Sequence, residues 1–247
     1  MGNSAIRFSS LAALLLVWHI VVWWGQPEAL PAPLAVAQRL WSEGGQGDLF
    51  MHMWATLQRV AISFSAALVL GAALGLLMAR YRTLDALLDV PLTLLLNVPA
   101  LVVIILSFIW LGLTDVAAVV AVTINKLPTI AVTLREGGKA VNAGLLEVAS
   151  VFGVSSWRRF SQVYLPQLVP YFLAACRAGL ALVWKIVLVV ELMGCSNGVG
   201  FKLGVYFQYF DIEGILAYTA AFVIIILLLD SVFMRRWEAR IEAWRGR

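Results

Sequence analysis

Charge is scarce in this sequence. Asp, Glu, Lys and Arg make up 13% of its 247 residues, about half the share found in a soluble globular domain. Cysteine is nearly absent, with Cys176 and Cys195 alone. Placed on one helix, the two stand 19 residues apart, roughly 28 Å, whereas a disulfide needs Cα atoms within about 7 Å. No disulfide within such a helix and no Cys/His metal cluster is therefore expected. The phosphate-cradling spacing GxxxxGK followed by Ser or Thr does not occur, so the chain is not expected to hydrolyse ATP. HExxH and GxSxG are missing as well. These absences disfavour an enzyme, and no catalytic, cofactor-binding or metal-binding residue is assigned.

Apolar residues fill the space that charge leaves. They form 62% of the chain, and the mean hydropathy is +0.90. The excess is spread along the whole length, which excludes a soluble domain with a single anchor. The expectation is an all-α integral membrane protein. Ten Trp residues suit a chain that meets many membrane–water boundaries. A net charge of +4 raises the question of nucleic acid. The bases fall in short loops and at the tail, so membrane topology explains them and no nucleic-acid partner is expected.

Taken in order, residues 8–24 are apolar after Arg7 and end in Trp23-Trp24. The bulky end offers no small-residue cleavage site, so a first transmembrane helix is expected rather than a signal peptide. Residues 25–53 break the pattern with Pro27, Pro31, Pro33 and three acids. Within them Leu34 to Trp41 has the pattern of a short amphipathic helix on the outer membrane surface. Further spans are expected over 54–79, 88–111, 116–134, 168–193 and 215–234. The second carries Gly71 and Gly75 four residues apart, a spacing that lets another helix approach closely. Asn97-Val-Pro99 interrupts the third. The Gly-rich, aromatic stretch 194–214 is too broken for a span and reads as a re-entrant or surface gate helix. This divides the chain into 1–53, a transmembrane core 54–234 and a basic tail 235–247.

One polar segment sits between apolar ones. Residues 145–166 contain Glu147-Val148-Ala149, Gly153 four residues later, and Leu165-Pro166 at the end. A short helix, a tight turn and a second short helix fit this spacing. Gly153 can take a positive φ at the turn, Ser155 and Ser156 are candidate caps, and Pro166 is read as ending the second helix and opening the next. The segment resembles the Glu-Ala-Ala coupling loop of ABC importer permeases: Glu-Ala-Ala, three residues, Gly, a spacer, an apolar residue and Leu-Pro. Val148 departs from that pattern by standing where it has Ala. From about Leu30 onward the chain resembles permease subunits of the nitrate/sulfonate/taurine class.

The resemblance implies a type I importer permease with six transmembrane helices and a cytoplasmic coupling helix-turn-helix within 135–167. It implies a multi-pass subunit in the bacterial plasma (inner) membrane. A cytoplasmic ATP-binding subunit would hold ATP and Mg. An external solute-binding protein and a second permease copy, forming a homodimer, complete the set. Glu147, Val148, Ala149, Val151, Phe152, Gly153, Leu165 and Pro166 would carry coupling to the ATPase. Apolar side chains, Phe160 among them, would pack into its groove.

The cations supply an orientation that does not depend on the resemblance. Twelve of the eighteen Lys and Arg residues, among them Arg80, Arg82, Arg135, Lys139, Arg158, Arg159 and five tail arginines, fall on one side of a six-span arrangement. By the positive-inside rule that side is cytoplasmic, together with both termini and the 135–167 loop. Arg39, Arg59 and Lys202 fall on or near the other side. Lys126, Arg177 and Lys185 lie inside spans, with Glu191 the nearby acid. Charges at such depth face protein or water and mark solute paths. With Asn97 and Pro99 they are the candidate path residues, and their sign points to a small anionic solute. Two other readings stay open. Each cation could pair structurally, for example with Glu191, although Lys185 and Glu191 do not meet within one helix. The solute could instead be a neutral or cationic vitamin precursor. An ion-coupled secondary transporter is disfavoured, since the 145–166 pattern has no copy in the first half.

Overall fold

A computed structural model of the chain describes residues 2–25 and 30–229. Pro27, the end of the expected last span and the basic tail lie outside the described residues. All regular structure among the described residues is helical. In chain order the helices are α1 (Gly2–Gly25), α2 (Pro33–Gln46), α3 (Leu49–Arg80), α4 (Arg82–Asn97), α5 (Ala100–Leu111), α6 (Asp115–Lys139), α7 (Ala143–Val151) and α8 (Ser156–Arg159). A π-turn over Phe160–Tyr164 leads into α9 (Leu165–Gly194), followed by α10 (Val199–Gln208) and α11 (Ile212–Leu229).

Four stretches are long and apolar enough to cross a membrane: Leu49–Arg80, Asp115–Lys139, Ser156–Gly194 and Ile212–Leu229. Helices α4 and α5 make a fifth if their bent pair is one span. Among the described residues α1 also contributes a shorter apolar stretch, Ala12–Gly25. The α4–α5 bend is 98°, and its cause is local. Val98, before Pro99, is extended at φ −68° and ψ 125°, as the ring of a following proline demands. Pro99 then caps α5.

The chain divides into two compact units, residues 56–196 and residues 1–55 with 197–247. In the larger one α6 packs against α9, α5 and α4. Gly71 and Gly75 of α3 show why α6 can also lie close to that helix. A Cβ on Gly71 would stand 2.9 Å from Ile130, and one on Gly75 would fall on the Ala131 carbonyl. The partner helix that this glycine spacing invites is therefore α6. Around it Ala67, Ile130, Leu134 and Ala175 form one buried cluster, and Met78, Leu92 and Ala131 another. Thr114 starts α6 by accepting a hydrogen bond from the Ala117 amide, the usual way of satisfying an orphan N–H.

In the smaller unit α2 packs against α11, and α10 against α11. Pro33 opens α2, where its missing N–H leaves nothing unpaired. Val36 faces inward while Leu34 and Trp41 stay exposed, the two-faced pattern expected of a surface helix. Arg39 bridges to Glu43 at 3.3 Å and Asp211 at 3.2 Å. The His52 Nδ1 accepts the Gly198 amide at 3.0 Å, which fixes the entry to α10.

Candidate functional site

Three groups of residues in the larger unit carry chemistry: the segment between α6 and α9, a buried ion cluster, and the cations placed inside spans.

The segment begins at Asn142, whose side chain accepts from the amides of Gly144 and Leu145 at 2.9 and 3.3 Å. Its own amide donates to Gln167 Oε1 at 2.9 Å, and Gln167 Nε2 donates to the Val163 carbonyl at 2.9 Å. One glutamine thus ties the start of α7 to the start of α9. Helix α7 ends in a Schellman arrangement: Val154 N–H donates to Ala149 O and Gly153 N–H to Ser150 O, both at 3.0 Å. Gly153 has φ +68°, and a Cβ there would meet nothing within 4 Å. The turn needs glycine for its backbone angle and not for space.

Side chains in this segment point outward. Val151 is 86% exposed, Phe152 81% and Trp157 74%. Glu147, Val148, Gly153 and Leu165 are also exposed, while Ala149 is buried. Two local expectations differ from the structure. Ser155 occupies the cap position of α8, yet its side chain makes no capping bond. Pro166 does not stop a helix, because Ser156–Gly194 runs on as one stretch of 39 residues. The Leu165 amide bonds to Phe160 O, and this wide turn comes just before the proline. A widened turn is where a helix can carry a residue lacking an N–H. Below the segment, Arg135 of α6 pairs with Asp89 at 2.5 Å and Asp85 at 3.4 Å, and Lys139 pairs with Asp85 at 2.6 Å.

The ion cluster centres on Arg59 of α3. Its Nη1 donates to Glu191 Oε1 of α9 at 2.8 Å, and its Nη2 to Asp115 Oδ1 of α6 at 2.6 Å. Thr56 Oγ1 donates to the other Glu191 oxygen at 2.8 Å. Glu191 is fully buried and the Arg59 side chain nearly so, whereas that of Asp115 is 71% exposed. One guanidinium thereby joins three helices. Sequence reasoning placed Arg59 on or near the outer side and offered Glu191 to the in-span cations Lys126, Arg177 and Lys185. It missed the pair because 132 residues separate the partners. The signal available was that a span acid of this depth requires a cation.

The other candidate path residues are not brought together in one cluster. Asn97 is exposed and donates to the Thr93 carbonyl at 2.7 Å, and Pro99 is exposed at the α4–α5 bend. Arg177 and Lys185 are exposed on α9. Lys126 is 7% exposed in the middle of α6.

The family described as "Binding-protein-dependent transport system inner membrane component" matches residues 67–241. The putative aliphatic sulfonates transport permease protein SsuC of Bacillus subtilis is 28% identical over 95% of this chain and 86% of its own length. The taurine transport system permease protein TauC of Escherichia coli is 28% identical over 98% of this chain and 90% of its own. Among solved structures, one of the MetNI methionine ABC transporter, in inward-facing conformations, aligns with a TM-score of 0.62 at 19% identity. It covers 82% of this chain and 98% of that one, a likeness of fold.

Proposed function

The chain belongs to the family of binding-protein-dependent transport system inner membrane components, the permease subunits of ABC importers, and from that premise we propose that it forms an ATP-driven import path for a small organic oxyanion of the sulfonate class. The observation that carries the reading is the α7–α8 segment. Its backbone is tied by Asn142, Gln167 and Gly153, while Val151, Phe152 and Trp157 face outward. A rigid hairpin that exposes apolar side chains suits a groove on a partner, and the partner is a cytoplasmic ATP-binding subunit. Glu147, Val148, Ala149, Val151, Phe152, Gly153, Leu165 and Pro166 make up the coupling element.

Two copies of the permease, six spans each with both termini cytoplasmic, sit in the bacterial inner membrane and receive solute from an external binding protein. Closing the ATPase pair moves the hairpins. Each hairpin runs directly into α9, so its motion tilts the helix that carries Arg177, Lys185 and Glu191. Those residues, with Asn97, Pro99 and Lys126, lie in or beside the path, and their net positive charge favours an anion. The relatives named for sulfonates and taurine support that solute class.

The test is detergent co-purification with the ATP-binding subunit, followed by ethanesulfonate uptake in vesicles. Wild type is expected to retain the ATPase and move the anion. A variant carrying Glu147→Arg and Gly153→Val is expected to lose the ATPase or hydrolyse ATP without uptake. Normal recruitment and uptake by that variant would overturn the coupling role.

A further inference from the structure

One titratable ring in the smaller unit makes a bond that only its neutral form allows. His52 lies in the first turn of α3 and is 3% exposed. Its Nδ1 accepts the Gly198 amide at 3.0 Å, in a buried bond. A backbone N–H can only donate, so this nitrogen carries no proton, and the neutral ring keeps its proton on Nε2. Gly198 is the residue from which α10 starts, at φ +110°. Glycine brings no side chain to that start. The acceptor for its orphan amide comes instead from α3, 146 residues away in the chain. Helix α10 packs against α11, one of the candidate spans, so its anchoring bears on how that span can move.

The ring is enclosed by Phe201 of α10 and Tyr218 of α11, with centroids at 5.9 and 6.4 Å. Tyr206 of α10 meets Tyr218 edge-on at 5.4 Å. The charges stand behind these aromatics. The Tyr218 hydroxyl donates to Glu43 Oε2 of α2 at 3.4 Å. Glu43 pairs with Arg39, and Arg39 with Asp211. Lys202 lies over the Tyr206 ring at 5.7 Å. On the chain before α3, Asp48 supplies only its carbonyl, to the His52 amide. A proton on Nδ1 would turn the acceptor into a donor. Two donors would then face each other across the bond. A positive charge would also stand at the N-terminus of α10, the end where the helix dipole disfavours a cation. Imidazole in water takes up this proton near pH 6.5. The bond is therefore present while the ring is neutral and is lost as the pH falls.

We propose that His52 is a positioning residue for α10 and acts as a proton-operated latch: its neutral imidazole holds the start of that helix in the transporting state, and protonation from the external medium releases it and slows import. The inference rests on the importer reading above, which places this end of α3 outside. It adds to that reading a regulation by external acid.

The experiment is ethanesulfonate uptake by the complete importer in proteoliposomes. ATP and a pH 7.5 buffer are held in the lumen, and the outside is taken from pH 7.5 to 5.0. Wild type should slow by about fivefold as a ring with imidazole's range takes its proton. In His52→Asn the side-chain oxygen stands near the place of Nδ1 and accepts an amide at any pH. That variant should transport like wild type at pH 7.5 and keep its rate in acid. His52→Leu, without an acceptor, should be slow throughout. A flat wild-type profile overturns the latch. So does an acid loss as deep in His52→Asn as in wild type, which would assign it to another subunit. The whole sequence has two histidines, His19 and His52, so the ring can also be read directly. NMR of the permease–ATPase complex in nanodiscs, labelled at the histidine ring nitrogens and carrying His19→Gln, should show a bare Nδ1 at pH 7.5 and a protonated one at pH 5.0. A protonated Nδ1 at pH 7.5 overturns the proposal even should both His52 variants fail to assemble. A wild-type importer that moves no ethanesulfonate at any pH overturns the importer reading and leaves the ring titration to decide the latch.

Discussion

The hairpin between α6 and α9 and the helical core beneath it invert each other's rules. In the core, charged side chains are inside. Glu191 is fully buried and held by Arg59 and Thr56. In the hairpin, apolar side chains are outside, and Val151 and Phe152 are exposed almost completely. The hairpin's shape comes from backbone and polar bonds: the Asn142 cap, the Gln167 clasp and the Gly153 turn. The core's shape comes from close contact and ion pairing. Stability and function should therefore separate. Changes in the core should be read first in unfolding, and changes at the hairpin tip first in partner binding.

The strongest way to break that contrast is at Glu191. Glu191→Leu removes the bonds that Arg59 and Thr56 make to this carboxylate and keeps the volume roughly constant. Loss of one partner of a buried pair costs about 3–5 kcal/mol. The lower end is expected here, because Asp115 still bonds Arg59 at 2.6 Å. A clear fall in the thermal unfolding midpoint in detergent is the expected outcome. An unchanged midpoint would show that the cluster serves motion and not cohesion.

Next in size comes Gly75. A side chain there must enter the space of the Ala131 carbonyl on α6, a backbone atom that cannot swing away. Gly75→Val is expected to destabilise by about 1–3 kcal/mol, the ordinary range for overpacking. Gly153→Val belongs to the other region: its Cβ meets nothing, so only the backbone angle of +68° opposes it. Comparing the two unfolding midpoints sharpens the distinction between a glycine kept for contact and one kept for conformation.

How much of this was legible in the sequence follows the same division. Local features were readable because local chemistry sets them: the glycine at the turn, the interruption before Pro99, the short amphipathic helix near Leu34 and the close-approach spacing of Gly71 and Gly75. The partners of buried charges were not. The Arg59–Glu191 pair joins helices far apart in the chain, and no periodicity reports which helix faces which. The π-turn ahead of Pro166 was equally hidden. A proline in the sequence signals the loss of one N–H, and whether the helix stops or widens depends on the packing around it. Lys126 stood out as a charge within a span, but its near-complete burial in the middle of α6 was not legible.

The smallest effect on stability is expected at the hairpin tip, where the effect on association should be largest. Val151→Ser and Phe152→Ser remove apolar surface that the folded permease leaves in water, so the unfolding midpoint should move by no more than about 0.5 kcal/mol equivalent, as for other exposed sites. The turn is kept, since its bonds run between the backbones of Ala149, Ser150, Gly153 and Val154. If these side chains fill a groove on the ATP-binding subunit, the double variant should release that subunit during co-purification while unfolding like wild type. Each buried methylene forgone weakens association by about 0.8 kcal/mol, so losing a valine and a phenylalanine together is enough to change retention visibly. Retention equal to wild type would mean that the tip's exposed apolar surface faces something other than the ATPase. The coupling contact would then have to be sought along Glu147, Val148 and Trp157, on the sides of the hairpin and not its end.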